Sequence, residues 1–211
     1  MIIKPFQTFS HLVTVVDYGA SNIASLINCL TYIGVEATVS SNPEDITRSD
    51  YVILPGVGSF SQSIENIRKR GIDSALQTMH DKNKPILGIC LGMQLLGTTS
   101  QEEGLSQGLN LVPGDVVRFP SDRLIPHVGW NQCEYKEENV SIFRDCTYQS
   151  DFYFVHSYHF VPRDSNNILA VTNYKSNFVS AIKQGNTFGV QFHPEKSHKA
   201  GLSLIKSFLS I

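Results

Sequence analysis

The sequence predicts an α/β fold, in which a central and mostly parallel sheet is flanked by helices and extended by antiparallel strands in the C-terminal half. Short β-branched runs alternate with helical patterns over the first hundred residues, as the βα units of a parallel sheet require. After Gly104 the strand-like runs follow one another closely, separated by Gly, Pro, Asn and Asp, which favours antiparallel pairing. The 211 residues predict a single domain, since a domain has about 150 residues on average.

The first βα unit shows this pattern most clearly. Residues 12–17 (LVTVVD) are apolar and β-branched, as a strand buried on both faces should be, and this run ends at Tyr18-Gly19. Ser21-Asn22 can cap the helix that follows, and Gly34 can end it. The apolar residues of this helix recur at helical spacing: Ile23, Leu26, Ile27, Leu30 and Ile33.

The later elements are predicted from the same signals. Further strands are expected at residues 35–39, 51–54 and 85–89, and helices at residues 59–70 and 72–82. The C-terminal half contains the strand-like runs VPGDVVRFP, DFYFVHSYHFVP, NILAVTNY, FVSAIKQG and NTFGVQFHP, and an amphipathic helix from about residue 197 to the end. Because ligands bind beyond the carboxyl ends of parallel strands, functional residues are expected at those strand ends.

The composition excludes several classes of protein. Hydrophobic residues make up 41% of the chain, which argues against disorder. The 17 Lys and Arg and 19 Asp and Glu give a net charge of -2, so a nucleic-acid or anionic-lipid partner is disfavoured. No apolar run approaches the roughly 20 residues of a membrane helix, and the start MIIKPFQTFSHL is too polar for a signal peptide. We therefore expect a cytoplasmic protein.

Cys90 differs from the other three cysteines. No C-x-x-C pair is present, so neither a disulfide framework nor a zinc site is indicated. Cys29, Cys133 and Cys146 are interpreted as small buried hydrophobic residues. Cys90 instead lies between a predicted strand and a helical pattern, in the motif G-x-C-x-G of residues 88–92.

This motif is typical of a nucleophile on a sharp turn. Flanking glycines are needed there because side chains would collide with the neighbouring strands. The helix that follows favours the thiolate and directs backbone N–H groups towards a developing oxyanion. A core cysteine would leave the two glycines unexplained, so we interpret Cys90 as the nucleophile.

A base for this nucleophile is predicted in His193-Pro194-Glu195, directly after the run FGVQF. An isolated H-P-E tripeptide is more typical of a solvated loop, but its place after a buried strand favours catalysis. His193 would act as general base and acid, and Glu195 would orient its imidazole. No third metal ligand stands at a suitable spacing, and His156 and His159 would face opposite sides of a strand, so neither a metal nor a cofactor is expected.

The glycine-rich turn of residues 54–60 (LPGVGSF) also follows a predicted strand. It could hold a phosphate, but the Lys and the Ser or Thr of a P-loop are missing. An oxyanion hole is favoured instead, with the backbone amides of Val57 and Leu91 as donors.

The segments PGVGSF, GICLGMQLL and QFHPEKS, in this order, resemble the class I (triad) glutamine amidotransferases. The segments VVDYGASNIASL, PHVGWN and FVHSYHF, with the lysine after Glu195, narrow the resemblance to the HisH-type glutaminase subunits of imidazole glycerol phosphate synthase. The resemblance implies a flavodoxin-like α/β fold over one amidotransferase domain, residues 1–211, with residues 1–12 as an N-terminal extension.

The resemblance also implies an activity and a partner. L-Glutamine would be hydrolysed to glutamate and ammonia through a cysteine thioester on Cys90, with His193 and Glu195 completing the triad. The ammonia would pass, within a heterodimer, to a HisF-type (β/α)8 cyclase subunit for histidine biosynthesis. An open alternative is a paralogue of the same type that supplies ammonia for an amidino sugar of a surface polysaccharide.

The family motifs carry further roles onto this chain. They imply an oxyanion hole at Val57, Gly58 and Leu91, and glutamine-binding residues at Gly56, Gly58, Gln94, His156, Ser157 and Tyr158. They imply a partner-facing surface and ammonia exit at Asn22, Trp130, Tyr158 and Lys196. Ala20-Ser21 departs from the family, which often has glycine before this asparagine, so the shape of that loop is not carried over.

In the resembled family the partner activates the glutaminase, and we expect a peptide of Gly56-Val57-Gly58 to rotate when the oxyanion hole forms. Glycine accepts the positive φ angles that such a rotation can require.

Two unrelated interpretations compete with the amidotransferase function. A cysteine peptidase or redox chaperone would lack the combination of H-P-E, glycine turn and H-S-Y, and a binding module without activity would not need an intact triad.

Overall fold

The computed structural model describes residues 11–19, 23–135, 142–147 and 150–211. The cap predicted at Ser21-Asn22 lies outside these ranges, as does most of the N-terminal extension of residues 1–12. No helix within the described ranges has the length and hydropathy that a membrane span needs.

Strands and helices alternate through the N-terminal half, as predicted. The elements are β1 (Val13–Val16), α1 (Ile23–Tyr32), β2 (Ala37–Ser40), α2 (Pro43–Arg48), β3 (Tyr51–Gly56), α3 (Phe60–Lys69), α4 (Ile72–Asp81), β4 (Ile86–Cys90) and α5 (Leu91–Leu95). The C-terminal half consists mainly of strands: β5 (Thr99–Ser100), β6 (Ser106–Gln107), β7 (Gly114–Arg118), β8 (His127–Gln132), β9 (Glu134–Tyr135), β10 (Asp151–His156), β11 (Tyr158–Pro162), β12 (Ile168–Tyr174), β13 (Ser176–Gln184) and β14 (Thr187–Val190). The chain ends with helix α6 (His198–Phe208).

The central sheet changes from parallel to antiparallel pairing at β14, which confirms the predicted fold class. β1 lies between β2 and β3, followed by β4 and β14, and each of these neighbours is parallel. From β14 the sheet continues through antiparallel β13, β11 and β7 to the short strands β5 and β6. β8 and β10 form a separate antiparallel pair.

Both faces of the parallel strands are covered, as their unbroken apolar sequences predict. Along β3, Tyr51 and Ile53 join the hydrophobic cluster that contains Leu30 of α1 and Phe208 of α6. Val52 and Leu54 join the opposite cluster, which includes side chains of α3 and α4.

The sequence analysis missed helix α2. The Asn42 side chain caps it by accepting a hydrogen bond from the backbone N–H of Glu44 at 3.0 Å, and Pro43 occupies its first turn. Its six residues contribute a single buried side chain, Ile46, so no helical period could appear in the sequence.

Candidate active site

The predicted turn brings Cys90 to the carboxyl end of β4, where α5 begins. Its backbone has φ 55° and ψ -110°, a conformation that non-glycine residues rarely adopt. A Cβ atom added to Gly92 would lie 1.8 Å from the carbonyl oxygen of Leu54, and one added to Gly88 would lie 2.7 Å from the carbonyl oxygen of Gly92. Gly92 is therefore required by the packing of the turn against β3, and Gly88 by the close approach of the α5 backbone.

His193 and Glu195 lie just beyond β14 and form the expected pair. The imidazole Nδ1 is 2.8 Å from Oε1 of Glu195, and the two side chains are only 3% and 7% exposed. Because the carboxylate accepts from Nδ1–H, the proton exchanged with a substrate must be carried by Nε2. Nε2 is buried and makes no hydrogen bond to a described residue.

Ser197 holds this segment in place, and the sequence analysis did not identify it. Its hydroxyl donates to the carbonyl oxygen of His193 at 2.6 Å and accepts from the backbone N–H of Tyr153 at 3.0 Å. The backbone N–H of His193 donates to the carbonyl oxygen of Tyr153 at 2.9 Å. These bonds fasten the His193 loop to β10.

The charges around His193 favour its protonated form. Burial by itself lowers the pKa of an imidazole, but interactions with Cys90 and Glu195 outweigh it and raise the pKa of His193 to about 10. An imidazolium next to the sulfur in turn stabilises a thiolate.

A cavity of about 330 Å³ opens over Cys90 and His193. The predicted residues that line it are Val57, Gly58, Leu91, Gln94, His156, Ser157 and Tyr158. Gly56 does not line the cavity but is paired with Cys90 across β3 and β4. Gly58 has φ +101°, a value at which side chains are strained, and Val57 is 40% exposed beside it.

The structure adds Glu102 to the cavity wall, which the sequence analysis missed. Its carboxylate accepts a hydrogen bond from the backbone N–H of Phe60 at 2.9 Å, and burial raises its pKa. In the sequence the segment QEEG is indistinguishable from a solvated loop, so no signal marked this residue.

A pair of neutral histidines supports the opposite wall. His156 Nδ1 lies 2.7 Å from the carbonyl oxygen of Tyr158 and must donate to it, so Nε2 accepts from Nδ1 of His127 at 3.2 Å. Burial lowers the pKa of His156 to about 3 and that of His127 to about 4. Within the described ranges, no three His, Cys, Asp or Glu side chains come together as metal ligands would.

The residues expected to face a partner are divided between two places. Trp130 is 48% exposed and stacks on His198, with ring centroids 4.9 Å apart. Lys196 Nζ lies 5.9 Å from the ring centre of Tyr153, a residue that the sequence analysis did not select. Tyr158 lines the Cys90 cavity instead. The remaining residue of this set, Asn22, lies outside the described residues.

Comparisons with known proteins identify the family of the chain. The family model of glutamine amidotransferase class-I matches residues 14–210. The imidazole glycerol phosphate synthase subunit HisH of Moorella thermoacetica is 42% identical over 196 residues, covering 93% of each chain. Subunit HisH 2 of Pseudomonas aeruginosa is 45% identical over 203 residues, covering 95% of this chain and all of the relative.

Solved structures agree on the fold. The structure of PurLQS from Thermotoga maritima superposes with a TM-score of 0.75 at 20% sequence identity and covers 96% of this chain and 99% of that chain.

Proposed function

This chain belongs to the class I glutamine amidotransferase family, and from that premise we propose that it is the glutaminase subunit of an imidazole glycerol phosphate synthase. The observation that carries the chemistry is that Cys90 and His193 line one cavity, while Oε1 of Glu195 lies 2.8 Å from Nδ1 of His193. A nucleophile, a base and an orienting carboxylate in this order are what amide hydrolysis through an acyl intermediate requires.

In the first step the Cys90 thiolate attacks the side-chain amide carbon of glutamine. A C–S bond forms, and the carbonyl electron pair moves onto oxygen, where the backbone amides of Val57 and Leu91 would stabilise it. Nε2 of the His193 imidazolium then gives its proton to the amide nitrogen. The C–N bond breaks, ammonia leaves, and a glutamyl thioester remains on Cys90.

In the second step His193, now neutral, removes a proton from water while the water oxygen attacks the thioester carbon. Collapse of this second tetrahedral intermediate breaks the C–S bond and releases glutamate. The sulfur leaves as a thiolate beside the newly protonated His193, so the ion pair of the resting enzyme is restored.

The cavity wall supports recognition of a free amino acid. Glu102 is the acidic side chain among the described residues that line the cavity, and its carboxylate can pair with the α-ammonium group of glutamine. Gln94, Ser157 and Tyr158 supply neutral hydrogen-bonding groups around it.

The mouth of the cavity supports a protein partner. Val57 and Val155 line the cavity, Val128 pairs with Val155 across β8 and β10, and Trp130 follows two residues later on β8. All four are at least 36% exposed, and exposed apolar side chains grouped together are typical of an interface. We assign this surface to a HisF-type (β/α)8 cyclase subunit in a heterodimer, which would receive the ammonia. We further propose that the enzyme acts in the cytoplasm.

The deciding experiment measures glutamate release from glutamine by the purified chain, alone and with a HisF-type barrel and its ribulosyl substrate. We expect strong activation by the barrel and complete loss in Cys90→Ala. Cys29→Ala is the matched control, since Cys29 is also buried but is not part of the Cys90 cavity.

Two results would change the proposal. If the barrel gives no activation but a glutamine-like electrophile still labels Cys90, the amidotransferase chemistry stands and the amidino-sugar pathway becomes the acceptor. The relatives named above are all subunits of imidazole glycerol phosphate synthase, which favours the histidine pathway. Glutamine turnover that persists in Cys90→Ala would reject the mechanism.

Trp130→Ala tests the partner surface. A half-exposed tryptophan at an interface is typically worth about 2 kcal/mol or more, so the affinity for the barrel should fall about 30-fold in a titration. Labelling of Cys90 in the isolated chain should not change. Val39→Ala, on the edge strand β2, removes another exposed apolar side chain and should leave the affinity unaltered. Equal affinities for Trp130→Ala and wild type would remove this surface from the interface.

A further inference from the structure

Gln191 is a buried polar residue beside the nucleophile that the mechanism above does not use. It follows β14 directly, two residues before His193, and its exposed fraction is 0%. Its Nε2 lies 3.8 Å from Sγ of Cys90, and its Oε1 accepts from Nε2 of Gln94 at 3.1 Å. A fully buried carboxamide between the nucleophile and a pocket residue needs a reason beyond packing.

The direction of this carboxamide is determined by a backbone carbonyl. Nε2 of Gln94 also donates to the carbonyl oxygen of Tyr158 at 3.2 Å, and a carbonyl can only accept. The amide nitrogen of Gln94 must therefore point at Tyr158 and, with its second hydrogen, at Gln191. The side-chain oxygen of Gln191 accepts this hydrogen bond, so the N–H group of Gln191 faces the sulfur of Cys90.

The same arrangement determines what Gln94 offers to a ligand. Both N–H groups of its carboxamide are used, by Tyr158 and by Gln191. Its oxygen is the group left for the cavity, which Gln94 lines. A hydrogen-bond donor of the substrate, such as an ammonium group, can therefore bind there.

We propose that Gln191 is a positioning residue of the glutaminase site: its N–H group stabilises the Cys90 thiolate, and its oxygen holds Gln94 so that an acceptor faces the substrate. This inference rests on the proposed role of Cys90 as nucleophile. It assigns two separable effects to one side chain, because the donor acts on the sulfur and the acceptor acts on Gln94.

Two substitutions separate these effects. Gln191→Met keeps the length of the side chain but removes both the donor and the acceptor. Gln191→Glu keeps an oxygen for Gln94 but places a carboxylate against the sulfur, where negative charge opposes thiolate formation. Thr187→Val is the matched control, because Thr187 is 1% exposed on β14, the strand that Gln191 follows, and its hydroxyl is bonded to His80 rather than to any residue of the cavity.

The first readout is alkylation of Cys90 by iodoacetamide in the chain alone, followed by peptide mass spectrometry from pH 5 to 9. We expect both Gln191 variants to react about tenfold more slowly at pH 7, with the half-maximal rate displaced to higher pH. The second readout is the KM for glutamine in the assembled enzyme. It should rise in Gln191→Met and rise much less in Gln191→Glu.

Thermal unfolding of all three variants shows whether they are folded. If Gln191→Met does not fold, the alkylation of Gln191→Glu still tests the effect on the sulfur. We expect Thr187→Val to be alkylated at Cys90 like the wild type. The proposal would be overturned if the folded Gln191 variants also showed the wild-type rate at pH 7 and the wild-type pH of half-maximal rate. An equal rise of KM in both Gln191 variants would overturn the role assigned to the acceptor. Because alkylation needs no glutamine turnover, it still reports on Gln191 if the proposed glutaminase activity fails.

Discussion

The Cys90 cavity has two walls that differ in charge and in origin. The first wall is built at the carboxyl ends of parallel strands and carries Val57, Cys90 and His193. The second wall comes from β10, β11 and the residue between them and carries His156 and Tyr158. Ionic chemistry is concentrated on the first wall, whereas the second is held by neutral hydrogen bonds.

The contrast is clearest in the two histidines. His193 and His156 are 3% and 6% exposed, so burial opposes protonation of both. Interactions with Cys90 and with Glu195 reverse this effect and raise the pKa of His193 to about 10. Burial lowers the pKa of His156 to about 3, because the backbone carbonyl of Tyr158 offsets burial only in part and His127 carries no negative charge. The partner, not the burial, decides whether a buried histidine can serve as an acid.

The largest loss of glutamine turnover should follow from removing the negative charge beside His193, which makes the first wall neutral like the second. Glu195→Gln removes the carboxylate that orients and charges His193, and glutamine turnover in the assembled enzyme should fall about 10³-fold or more. Glu65→Gln is the control, since Glu65 forms an exposed ion pair with Lys69. In a Cys90→Ser background, NMR titration should show a lower pKa for His193 once Glu195 is replaced. An unchanged pKa would mean that Glu195 does not set the charge of the first wall.

Gly58→Val tests the turn of the first wall. A Cβ atom at Gly58 meets nothing within 4 Å, so only the backbone strain at φ +101° should affect stability, by about 1–2 kcal/mol. If the oxyanion hole forms by the peptide rotation that the sequence analysis predicts, a β-branched residue should prevent that rotation, and glutamine turnover should fall about 100-fold. Gly71→Val imposes a similar strain at φ +69° between α3 and α4 and should cost stability alone. Parallel losses of turnover and stability in both variants would contradict this assignment.

The lowered pKa of His156 in the second wall should make the free energy of unfolding depend on pH. The pKa of His156 is 6.5 in the unfolded chain and about 3 in the folded chain. Between these pH values His156 is therefore protonated in the unfolded chain and neutral in the folded chain. Its contribution to stability is therefore complete above pH 6.5 and is lost as the pH falls towards 3. From pH 7 to pH 5 the free energy of unfolding should decrease by about 2 kcal/mol for this group.

Urea unfolding of His156→Asn at both pH values provides the measurement. The variant should show a smaller difference between pH 7 and pH 5 than the wild type. Phe154→Leu alters the packing around His127 and His156 without removing a titrating group, so it should lower stability equally at both pH values. If the free energy of unfolding of His156→Asn changes between pH 7 and pH 5 as much as that of the wild type, His156 does not cause the pH dependence.

The first wall could be predicted from the sequence because each of its parts is local. The motif G-x-C-x-G and the tripeptide H-P-E are each a short continuous segment, and each lies at or just beyond the carboxyl end of a strand whose apolar sequence is itself a signal. Parallel strands then place their carboxyl ends at one edge, so the meeting of Cys90 with His193 follows from the fold class.

The second wall could not be derived in this way. His127 and His156 meet because β8 and β10 pair with these two residues in register, and no pattern in either strand specifies that register. Glu102 was missed because burial, which only the neighbouring elements supply, distinguishes it from a solvated carboxylate. Tyr153 was missed because it alternates with apolar residues along β10.

By itself, then, the sequence determined the α/β class and the family resemblance that the comparisons confirm, and it predicted the nucleophile, the base and its carboxylate. The tertiary structure alone decided which histidine is charged, which amide group of Gln191 faces the sulfur, and which tyrosine lies under Lys196. The physical reason is that a turn or a strand end is specified by neighbours in the chain. A pKa or the direction of an amide is specified by groups that come together only when distant strands pair.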